Sequence, residues 1–348
     1  MTQTTQTIVV VAPRILLAEQ LSAEFLEFIT NAEVMHVHSG ETHHYSSTRP
    51  GEIRKWVEAN ANNHRLIVTT YNSLQRLVDA EIDVDTIYFD EAHNSVKRNF
   101  FPATEHFAAE ANRCYFFTAT RKTSLTPSKP GMNDRDVYGD IICRVSAPEL
   151  VDGGYIIAPK IVAKKFEVLA PNQVTAECDS SNLMETLEDI DCKKILVCVK
   201  SAKQLINLMS HTDCASQLHQ RGYSYLYITA KTGAIIDGKK VNREVFFDTL
   251  NAWGRDPNKK FVCLHRSILS EGINVSELEA VVFLRNMDVI EMTQTIGRVL
   301  RLGGKEKVWG LCVVPVYSKV GVSTERALQR VVDAVFEKGE MLDSVVRR

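Results

Sequence analysis

The stretch Tyr88-Phe89-Asp90-Glu91-Ala92-His93 ends an apolar run with two adjacent carboxylates, a small residue and a histidine. If this run forms a buried parallel strand, the strand carries Asp90 and Glu91 to its carboxyl end, where open α/β sheets place their ligands. An Asp there can hold Mg²⁺ through its hard oxygens, and a Glu beside it can orient and deprotonate a water molecule. A strand end with two solvated acids and a surface histidine fits the six residues equally well, so the rest of the sequence has to decide.

Length and composition indicate a globular protein with two domains. The chain has 348 residues, of which 45% are hydrophobic and 24% charged, as in ordinary soluble proteins. Its formal charge of −2 gives no overall attraction to nucleic acid, so such binding needs a local groove of Lys and Arg. The eight cysteines include no C-x-x-C pair. This argues against a cysteine zinc site and favours a reducing, intracellular compartment, the cytoplasm or, for a viral chain, that of the host cell.

Strand and helix patterns alternate along the first half of the chain. Runs typical of strands occupy Ile8–Ala12, Val34–His38, Arg65–Thr70 and Cys114–Thr118. The segment Ile15–Ile29 has the apolar spacing of an amphipathic helix. Such alternation predicts a parallel sheet with helices on both faces. Because a second series of the same kind begins at Lys193, we predict two tandem α/β domains.

Four histidines, His36, His38, His43 and His44, follow one another closely after the second predicted strand. They and their neighbours lack the regular ligand spacing of common metal sites. We therefore do not expect a metal ion at this position.

A basic cluster in the second half of the chain comprises Gln294, Arg298 and Arg301. The two arginines are three residues apart, so on a helix they project from one face, which the glutamine one turn earlier shares. Aimed across a domain cleft, these side chains would complement a transferring γ-phosphate in the manner of an arginine finger. A solvated basic helix end is the alternative interpretation.

The segment Leu269–Asn274 directly follows a predicted strand. Gly272 would let the backbone approach a ligand, while Ser270 and Asn274 would supply short hydrogen bonds. An ordinary link from strand to turn explains the same residues.

The order of these motifs resembles that of superfamily 2 helicases and translocases of the DEAH type, in the branch of phage recombination helicases and restriction-enzyme motor subunits. Each of seven segments is similar to one motif of that family: Val10–Gln20 to Ia, Val68–Leu74 to Ib, Asp90–His93 to II, Phe117–Thr120 to III, Lys194–Ser201 to IV, Ser270–Asn274 to V and Gln294–Arg301 to VI. Each motif is weak alone, but their common order and spacing are specific.

The resemblance implies two RecA-like domains that hydrolyse ATP in the cleft between them, with ATP and Mg²⁺ as cofactors and nucleic acid, DNA rather than RNA, as partner. It also implies a role for each matching residue. Asp90 would coordinate Mg²⁺ and Glu91 would activate the attacking water. His93, Thr118 and Thr120 would couple the nucleotide state to strand binding. Gly272 and Asn274 would contact the nucleotide, and Gln294, Arg298 and Arg301 would contact its phosphates. The backbone of the nucleic acid would be contacted by Pro13, Arg14, Thr70 and Ser270.

One motif of the family is missing from the sequence. Family members carry G-x-x-x-x-G-K-[ST] before motif Ia, and the amides and Lys of this loop bind the phosphates of ATP. The nearest match, Gly233–Lys240, lacks the Ser or Thr and follows the acids instead of preceding them, so we interpret it as a solvated turn. The resemblance places the missing strand beside that of motif III, where we expect an exposed parallel edge.

We predict a first domain over residues 1–158, truncated at its N-terminus, a connection over 159–192, a second domain over 193–320 and a C-terminal helix over 321–348. The leading functional hypothesis is an ATP-dependent helicase or translocase whose phosphate-binding loop comes from a missing N-terminal segment or a partner chain, so that this chain alone has little or no activity. A non-catalytic nucleic-acid-binding or regulatory fragment is the main alternative. A nucleotide-binding enzyme unrelated to nucleic acid is the third.

Overall fold

The computed structural model describes residues 5–166, 174–229, 231–266, 277–285, 289–301, 310–317 and 319–346. The chain divides into two units, residues 1–144 with 341–348 and residues 145–340. None of the helices in the described ranges is long and apolar enough to cross a membrane.

The first unit contains a six-stranded sheet. Its strands are β1 (Thr7–Ala12), β2 (Ala32–Val37), β3 (Tyr45–Ser46), β4 (His64–Thr70), β5 (Thr86–Phe89) and β6 (Arg113–Phe116). All pairs are parallel, in the order β3-β2-β4-β1-β5-β6. Val9, Val10 and Val11 of the central β1 are buried, as expected for a parallel strand with both faces covered.

The two faces of this sheet are covered unequally. Helices α2 (Pro50–Ala59), α3 (Gln75–Asp79) and α4 (Phe101–Glu110) pack on one face, where they contribute residues such as Phe107 to a large core. On the opposite face, α1 (Ile15–Leu26) is the helix that contributes buried residues to the core, as far as the described residues show. The predicted parallel sheet is confirmed, with most of its helical cover on one side.

Aromatic residues lie on the α1 face beside the edge strand β6. Tyr88 of β5 stacks on Tyr115 of β6 with ring centroids 5.5 Å apart, and the ring of Phe117 lies 6.2 Å from Tyr88. The Phe117 side chain is 54% exposed. Since β6 ends the sheet, the described residues have the open parallel edge that the sequence predicts beside the motif III strand.

The second unit contains an eight-stranded sheet. In chain order, β7 (Thr120–Thr123) still belongs to the first unit. The strands of the second sheet are β8 (Pro159–Lys165), β9 (Lys194–Cys198), β10 (Ser224–Thr229), β11 (Gly233–Ile236), β12 (Lys239–Val241), β13 (Phe261–His265), β14 (Ala280–Phe283) and β15 (Gly310–Val316). Their order is β12-β11-β10-β13-β9-β14-β15-β8. β11 is antiparallel to both of its neighbours, and the remaining pairs are parallel.

Helices cover both faces of this second sheet. After the short helices α5 (Arg135–Tyr138) and α6 (Ala147–Asp152), they are α7 (Thr175–Ile190), α8 (Ala202–Ser210), α9 (Cys214–Gln220), α10 (Arg243–Arg255), α11 (Val289–Val299) and α12 (Val322–Val331). Helices α10, α11 and α12 pack into one core, and α7, α8 and α9 pack into the other. The prediction of a second α/β domain is confirmed.

Residues 159–192, predicted as a connection, contain β8 and α7, which are integral to the second unit. The α7 sequence is rich in acids and looks solvated, but Leu183 and Leu187 lie in the core. Asp179 is 1% exposed and accepts hydrogen bonds of 2.8 and 2.9 Å from the Arg285 guanidinium. Bidentate pairing with Arg is one of the interactions that stabilise this buried acid.

The C-terminal residues differ from the predicted helix over 321–348. α12 runs into a π-helical turn, Val332–Glu337, and Gly339 then adopts a φ of +65°, which a continuing helix does not allow. The chain goes on to form β16 (Leu342–Val345), which pairs in parallel with β7 of the first unit. The first stretch of the first unit ends at residue 144, whereas the sequence predicts a boundary at residue 158.

Candidate functional site

The carboxyl ends of β1, β4 and β5 lie side by side in the first unit. The register aligns the last residue of β1 with the last residue of β4, and β5 ends next to them. Residues at or just beyond these ends are therefore neighbours at one edge of the sheet. They are Pro13 and Arg14, Thr70, and Asp90 with Glu91.

Asp90 is fixed through its backbone at this edge. Its N–H donates to the Val11 carbonyl at 2.9 Å, and its own carbonyl accepts from the Tyr71 hydroxyl at 2.8 Å. Burial, assisted by the charge of Glu91, raises the pKa of Asp90 to about 6. The protein thus leaves this carboxylate poorly compensated, and a hard divalent cation such as Mg²⁺ fits beside the two acids.

Glu91 has a φ of +45°, in the left-handed region that residues other than Gly rarely adopt. The turn directs the chain into a short 3₁₀ helix, Ala92–Asn94, whose first N–H donates to the Phe117 carbonyl at 2.8 Å. A Glu91 carboxylate oxygen lies 3.3 Å from His93 Nδ1. Backbone strain of this kind is concentrated at functional sites.

His93 connects the acids to the segment that follows β6. The imidazole is buried, and its Nδ1 lies 3.1 Å from Thr118 Oγ1 and 3.3 Å from Thr120 Oγ1. The Thr118 hydroxyl also donates to the Thr120 carbonyl at 3.0 Å. One ring nitrogen therefore lies close to Glu91 and to both threonine hydroxyls.

Lys97, Lys122 and Arg14 bring positive charge to the same unit, and sequence reasoning missed the two lysines. Partial burial lowers the pKa of Lys97, and the charges of Lys122 and Arg14 lower it further. Lys97 is therefore at the centre of a group of three positive charges, although the net charge of the chain is −2. They come from three separate stretches of sequence, so no basic run could have revealed them.

In the second unit, α11 carries Gln294 and Arg298, both half-buried. Arg298 lies close to His265: burial and then the charge of Arg298 lower the pKa of His265 to about 3. Arg301, by contrast, is exposed and lies beyond the end of α11, because the chain leaves the helix to form a β-bridge with Ile156. The single helix face predicted for Arg298 and Arg301 is therefore not what the structure has.

Ser270, Gly272 and Asn274 belong to residues 267–276, which lie outside the described part of the chain. Their predicted contacts with nucleotide and nucleic acid stay predictions.

The near match to a phosphate-binding loop, Gly233–Lys240, is a β-hairpin. β11 and β12 flank Asp237 and Gly238, whose φ values of +44° and +80° are both positive, as a type I′ turn requires. The Asp237 carboxylate accepts from the Tyr225 N–H at 2.7 Å, and the flanking residues are engaged in strand pairing. This segment is a turn between two strands, and no helix begins at its Lys.

A family model matches the N-terminal third of the chain. Residues 1–123 match the model described as "Type III restriction enzyme, res subunit". Comparison with curated proteins gives no match.

Solved structures resemble the whole chain at low sequence identity. The ATP-dependent Type ISP restriction-modification enzyme LlaBIII bound to DNA aligns with a TM-score of 0.72 and 14% identity, over 99% of this chain and 28% of that one. A nuclease-deletion mutant of the Type ISP enzyme LlaGI, in complex with a DNA substrate mimic, gives 0.61 and 17%, over 95% and 25%. Dbp5 of S. cerevisiae bound to RNA and ADP BeF3 gives 0.55 and 14%, over 99% and 78%.

This chain spans about a quarter of the length of the two restriction-modification enzymes. At such identities the likeness concerns the fold alone. The chain has two tandem α/β units with mainly parallel sheets, and these match the RecA-like fold of the solved helicase structures.

Proposed function

We propose that this chain is part of an ATP-dependent helicase or translocase that acts on DNA, and that a segment outside these 348 residues carries its phosphate-binding loop. One observation carries the proposal. The poorly compensated acids Asp90 and Glu91 are connected through His93 to the segment after β6, and cations of the same unit lie close to one another. This combination suits a site that hydrolyses a nucleotide and communicates with a polyanion.

Asp90 and Glu91 would have different roles in ATP hydrolysis. Asp90, held through its backbone, would bind Mg²⁺, which neutralises charge on the β- and γ-phosphates of ATP when bound. Glu91 would orient the attacking water and accept its proton. His93, 3.3 Å from the Glu91 carboxylate, would keep that carboxylate in position and pass its movement to Thr118 and Thr120.

The second unit would complete the nucleotide site. Gly272 and Asn274 would contact the nucleotide, and Gln294, Arg298 and Arg301 would contact its phosphates. The half-burial of Arg298 beside His265 supports this role for Arg298, because a guanidinium restricted by its surroundings loses less entropy on binding phosphate. Arg301 would act from the bridge beyond α11 rather than from the helix.

Nucleic acid would lie along the carboxyl edge of the first sheet. Pro13, Arg14 and Thr70 lie there, and Ser270 would join them from the second unit. Lys97 and Lys122 add charge for phosphate contacts, which position a strand without reading its sequence. DNA is favoured because the two Type ISP enzymes of the same fold are bound to DNA or to a mimic of it.

The open edge at β6 is where the missing strand would pair. A parallel strand next to β6 has its carboxyl end at the same edge of the sheet as β5. A loop that follows this strand would therefore emerge near Asp90 and Glu91. This is the position that a phosphate-binding loop needs if the acids are to act on the same nucleotide.

The handedness of the connections predicts which face the helix after that loop would cover. Parallel β-helix-β connections are right-handed. The connection from β1 to β2 runs toward the β3 end and has α1 on one face, whereas the connections through α3 and α4 run the other way and have their helices on the opposite face. A strand beyond β6 that leads through a helix to β1 runs in the same direction as β1 to β2. Its helix would cover the α1 face, where Tyr88, Tyr115 and Phe117 are incompletely covered.

ATP hydrolysis by a reconstituted protein tests the proposal. The full chain is mixed with or fused to a segment made of a parallel strand, a phosphate-binding loop and a helix, and hydrolysis is measured with and without single-stranded DNA or RNA. We expect little hydrolysis by the chain alone and DNA-stimulated hydrolysis after reconstitution. Glu91→Gln should lower the turnover by about 10²- to 10⁴-fold and leave nucleotide binding intact.

The matched control is Glu105→Gln, since Glu105 is exposed on α4 and should leave turnover unchanged. Hydrolysis that Glu91→Gln does not reduce would contradict the proposed role of the acids. Hydrolysis that neither DNA nor RNA stimulates would favour a nucleotide-binding enzyme unrelated to nucleic acid.

A non-catalytic nucleic-acid-binding or regulatory protein is the second candidate. It is favoured by the hairpin geometry of Gly233–Lys240, the nearest sequence match to a phosphate-binding loop. This candidate predicts salt-dependent strand binding that is indifferent to ATP and to Glu91→Gln.

A further inference from the structure

Three side chains that can bind a metal converge between α1 and the carboxyl end of β2. They are Glu19 of α1, His36 of β2 and His38 just beyond it, and their ligand atoms all lie within 4.8 Å of one another. His36 Nδ1 lies 3.1 Å from His38 Nε2 and 3.3 Å from Glu19 Oε1. The two histidines are buried, and the glutamate is half-buried.

These separations match those around a tetrahedral zinc ion. Metal–nitrogen and metal–oxygen bonds of about 2.0–2.1 Å place neighbouring ligand atoms about 3.3 Å apart. The two measured separations from His36 Nδ1, 3.1 and 3.3 Å, differ from this value by little. The third pair, from His38 and Glu19, lies within 4.8 Å, so an ion could enter if these two side chains adjust their separation.

Hydrogen bonds within the described part of the chain do not satisfy the cluster. Glu19 Oε1 is buried without a hydrogen-bond partner, although His36 Nδ1 is only 3.3 Å away, so the two atoms approach without hydrogen-bond geometry. Buried polar atoms in proteins are normally paired, and a buried, unpaired carboxylate oxygen 3.3 Å from His36 Nδ1 indicates that something other than a protein hydrogen bond belongs here.

The proton positions lead to the same conclusion. The Gly40 N–H donates to His38 Nδ1 at 3.2 Å, so without metal the neutral His38 carries its proton on Nε2 and donates it to His36 Nδ1. His36 Nδ1, which accepts this proton and also lies 3.2 Å from Thr42 Oγ1, then has no proton of its own to donate to Glu19 Oε1. A cation among the three atoms would replace the shared proton, and His38 would hold its own proton on Nδ1.

We propose that Glu19, His36 and His38 bind one Zn²⁺ ion, with water in the fourth position. Two imidazoles and one carboxylate are a ligand set for first-row transition metals, whereas Mg²⁺ and Ca²⁺ prefer oxygen alone. Three protein ligands leave the coordination open on one side. This site is separate from the acids at the end of β5 and does not rest on the proposed function.

The ion would join α1 to the loop after β2. Glu19 lies one turn into α1, and a Cβ placed on Gly40 would lie 2.8 Å from the Ile15 side chain at the start of that helix. Metal binding would hold the Glu19 turn of α1 and the loop of His38 together. It would also break the hydrogen bond from the Gly40 N–H to His38 Nδ1. We therefore expect the ion to stabilise the beginning of α1, directly after Arg14.

Spacing in the sequence could not reveal this site. His36 and His38 alternate on a strand with one residue between them, and the third ligand comes from a helix 17 positions earlier, since 36 − 19 = 17. The nearby His43 is exposed and outside the cluster. The structure therefore selects two of the four histidines.

Metal titration of the full chain tests the proposal. The protein is freed of metal with a chelator and titrated with Co²⁺ and then Zn²⁺. We expect one equivalent of each to bind, a visible d–d absorption typical of four-coordinate Co²⁺, and loss of this absorption when Zn²⁺ is added. Glu19→Gln and His38→Ala should weaken binding by more than the roughly 10- to 100-fold that loss of a second-shell partner costs.

His43→Ala is the matched control and should bind as the wild type does. Circular dichroism shows whether each variant is folded, and the Co²⁺ spectrum of the wild-type chain is informative without any variant. Absence of stoichiometric binding to the wild type would overturn the proposal. So would binding that His43→Ala weakens as strongly as His38→Ala does.

Discussion

The two sheets of this chain share one architecture but differ in how they are covered. In the second unit, large cores lie on both faces and three helices contribute to each of them. In the first unit, three helices serve one face, and α1 provides the helical cover described for the other. The phenyl ring of Phe283 in the second sheet is fully buried, whereas that of Phe117 next to β6 is 54% exposed.

The unequal cover of the two sheets indicates where another segment could pack on the first unit. Its incompletely covered region coincides with the edge strand β6, beside the strand that ends in the two acids. A sheet can leave an aromatic face partly exposed when a partner covers it, since exposed apolar patches favour association. The incompletely covered region is therefore where we propose that the strand and helix on either side of the phosphate-binding loop pack.

The largest expected effect comes from removing the two phenyl rings in turn. Phe283→Ala should lower the free energy of unfolding of the second unit by about 3–5 kcal/mol, because it leaves a cavity in a covered core. Phe117→Ala should change that of the first unit by less than about 1 kcal/mol, because its ring is already half in water. Urea unfolding, followed separately for each unit by hydrogen exchange, measures both values. Equal losses would show that the two sheets are equally covered.

Asp90→Asn should stabilise the first unit while removing the proposed Mg²⁺ ligand. A pKa of about 6 against the usual 3.8 means that ionised Asp90 costs about 3 kcal/mol at neutral pH. The folded form binds the proton more tightly, so this cost is absent below pH 3.8, grows as pH rises, and is complete above pH 6. Thermal unfolding should show the variant to be more stable than the wild type at pH 7.5 and equally stable at pH 3. Equal stability at both values would contradict the raised pKa.

The smallest expected effect is that of Lys239→Ala in the hairpin. Because Gly233–Lys240 is a strand-turn-strand segment, the substitution should leave nucleotide affinity unchanged and should change stability by less than about 0.5 kcal/mol. A filter-binding assay with labelled ATP on the reconstituted protein measures the affinity. A tenfold loss would place a phosphate contact in the second unit.

The sequence predicts the strands and the edge that carries the acids, because β-branched runs such as Ile8–Ala12 and Arg65–Thr70 form buried parallel strands whose ends are aligned by register. It does not predict features that depend on distant partners. Asp179 looks solvated until Arg285, from a remote strand end, pairs with it. The cations around Lys97 and the ligands around His36 likewise meet only after folding.

Departures from helix at the ends of elements are also hidden in the sequence. Arg301 continues the helical pattern of α11, yet a bridge to Ile156 takes it out of the helix. The C-terminal residues have helical spacing, yet Gly339 breaks the helix and the chain continues as β16. In both cases tertiary pairing outweighs a local preference that is worth only fractions of a kcal/mol per residue.

Hydrogen exchange at β6 tests the central claim most directly. The N–H groups of Arg113 and Phe117 donate to carbonyls at 85 and 89 on the β5 side, so by strand alternation those of Cys114 and Phe116 point away from β5. Exchange is measured before and after addition of the strand-loop-helix segment with its loop Lys changed to Ala, which makes the result independent of ATP. The account predicts strong new protection at Cys114 and Phe116 and little change at Arg113 and Phe117. A segment that binds the chain without protecting Cys114 and Phe116 would contradict it.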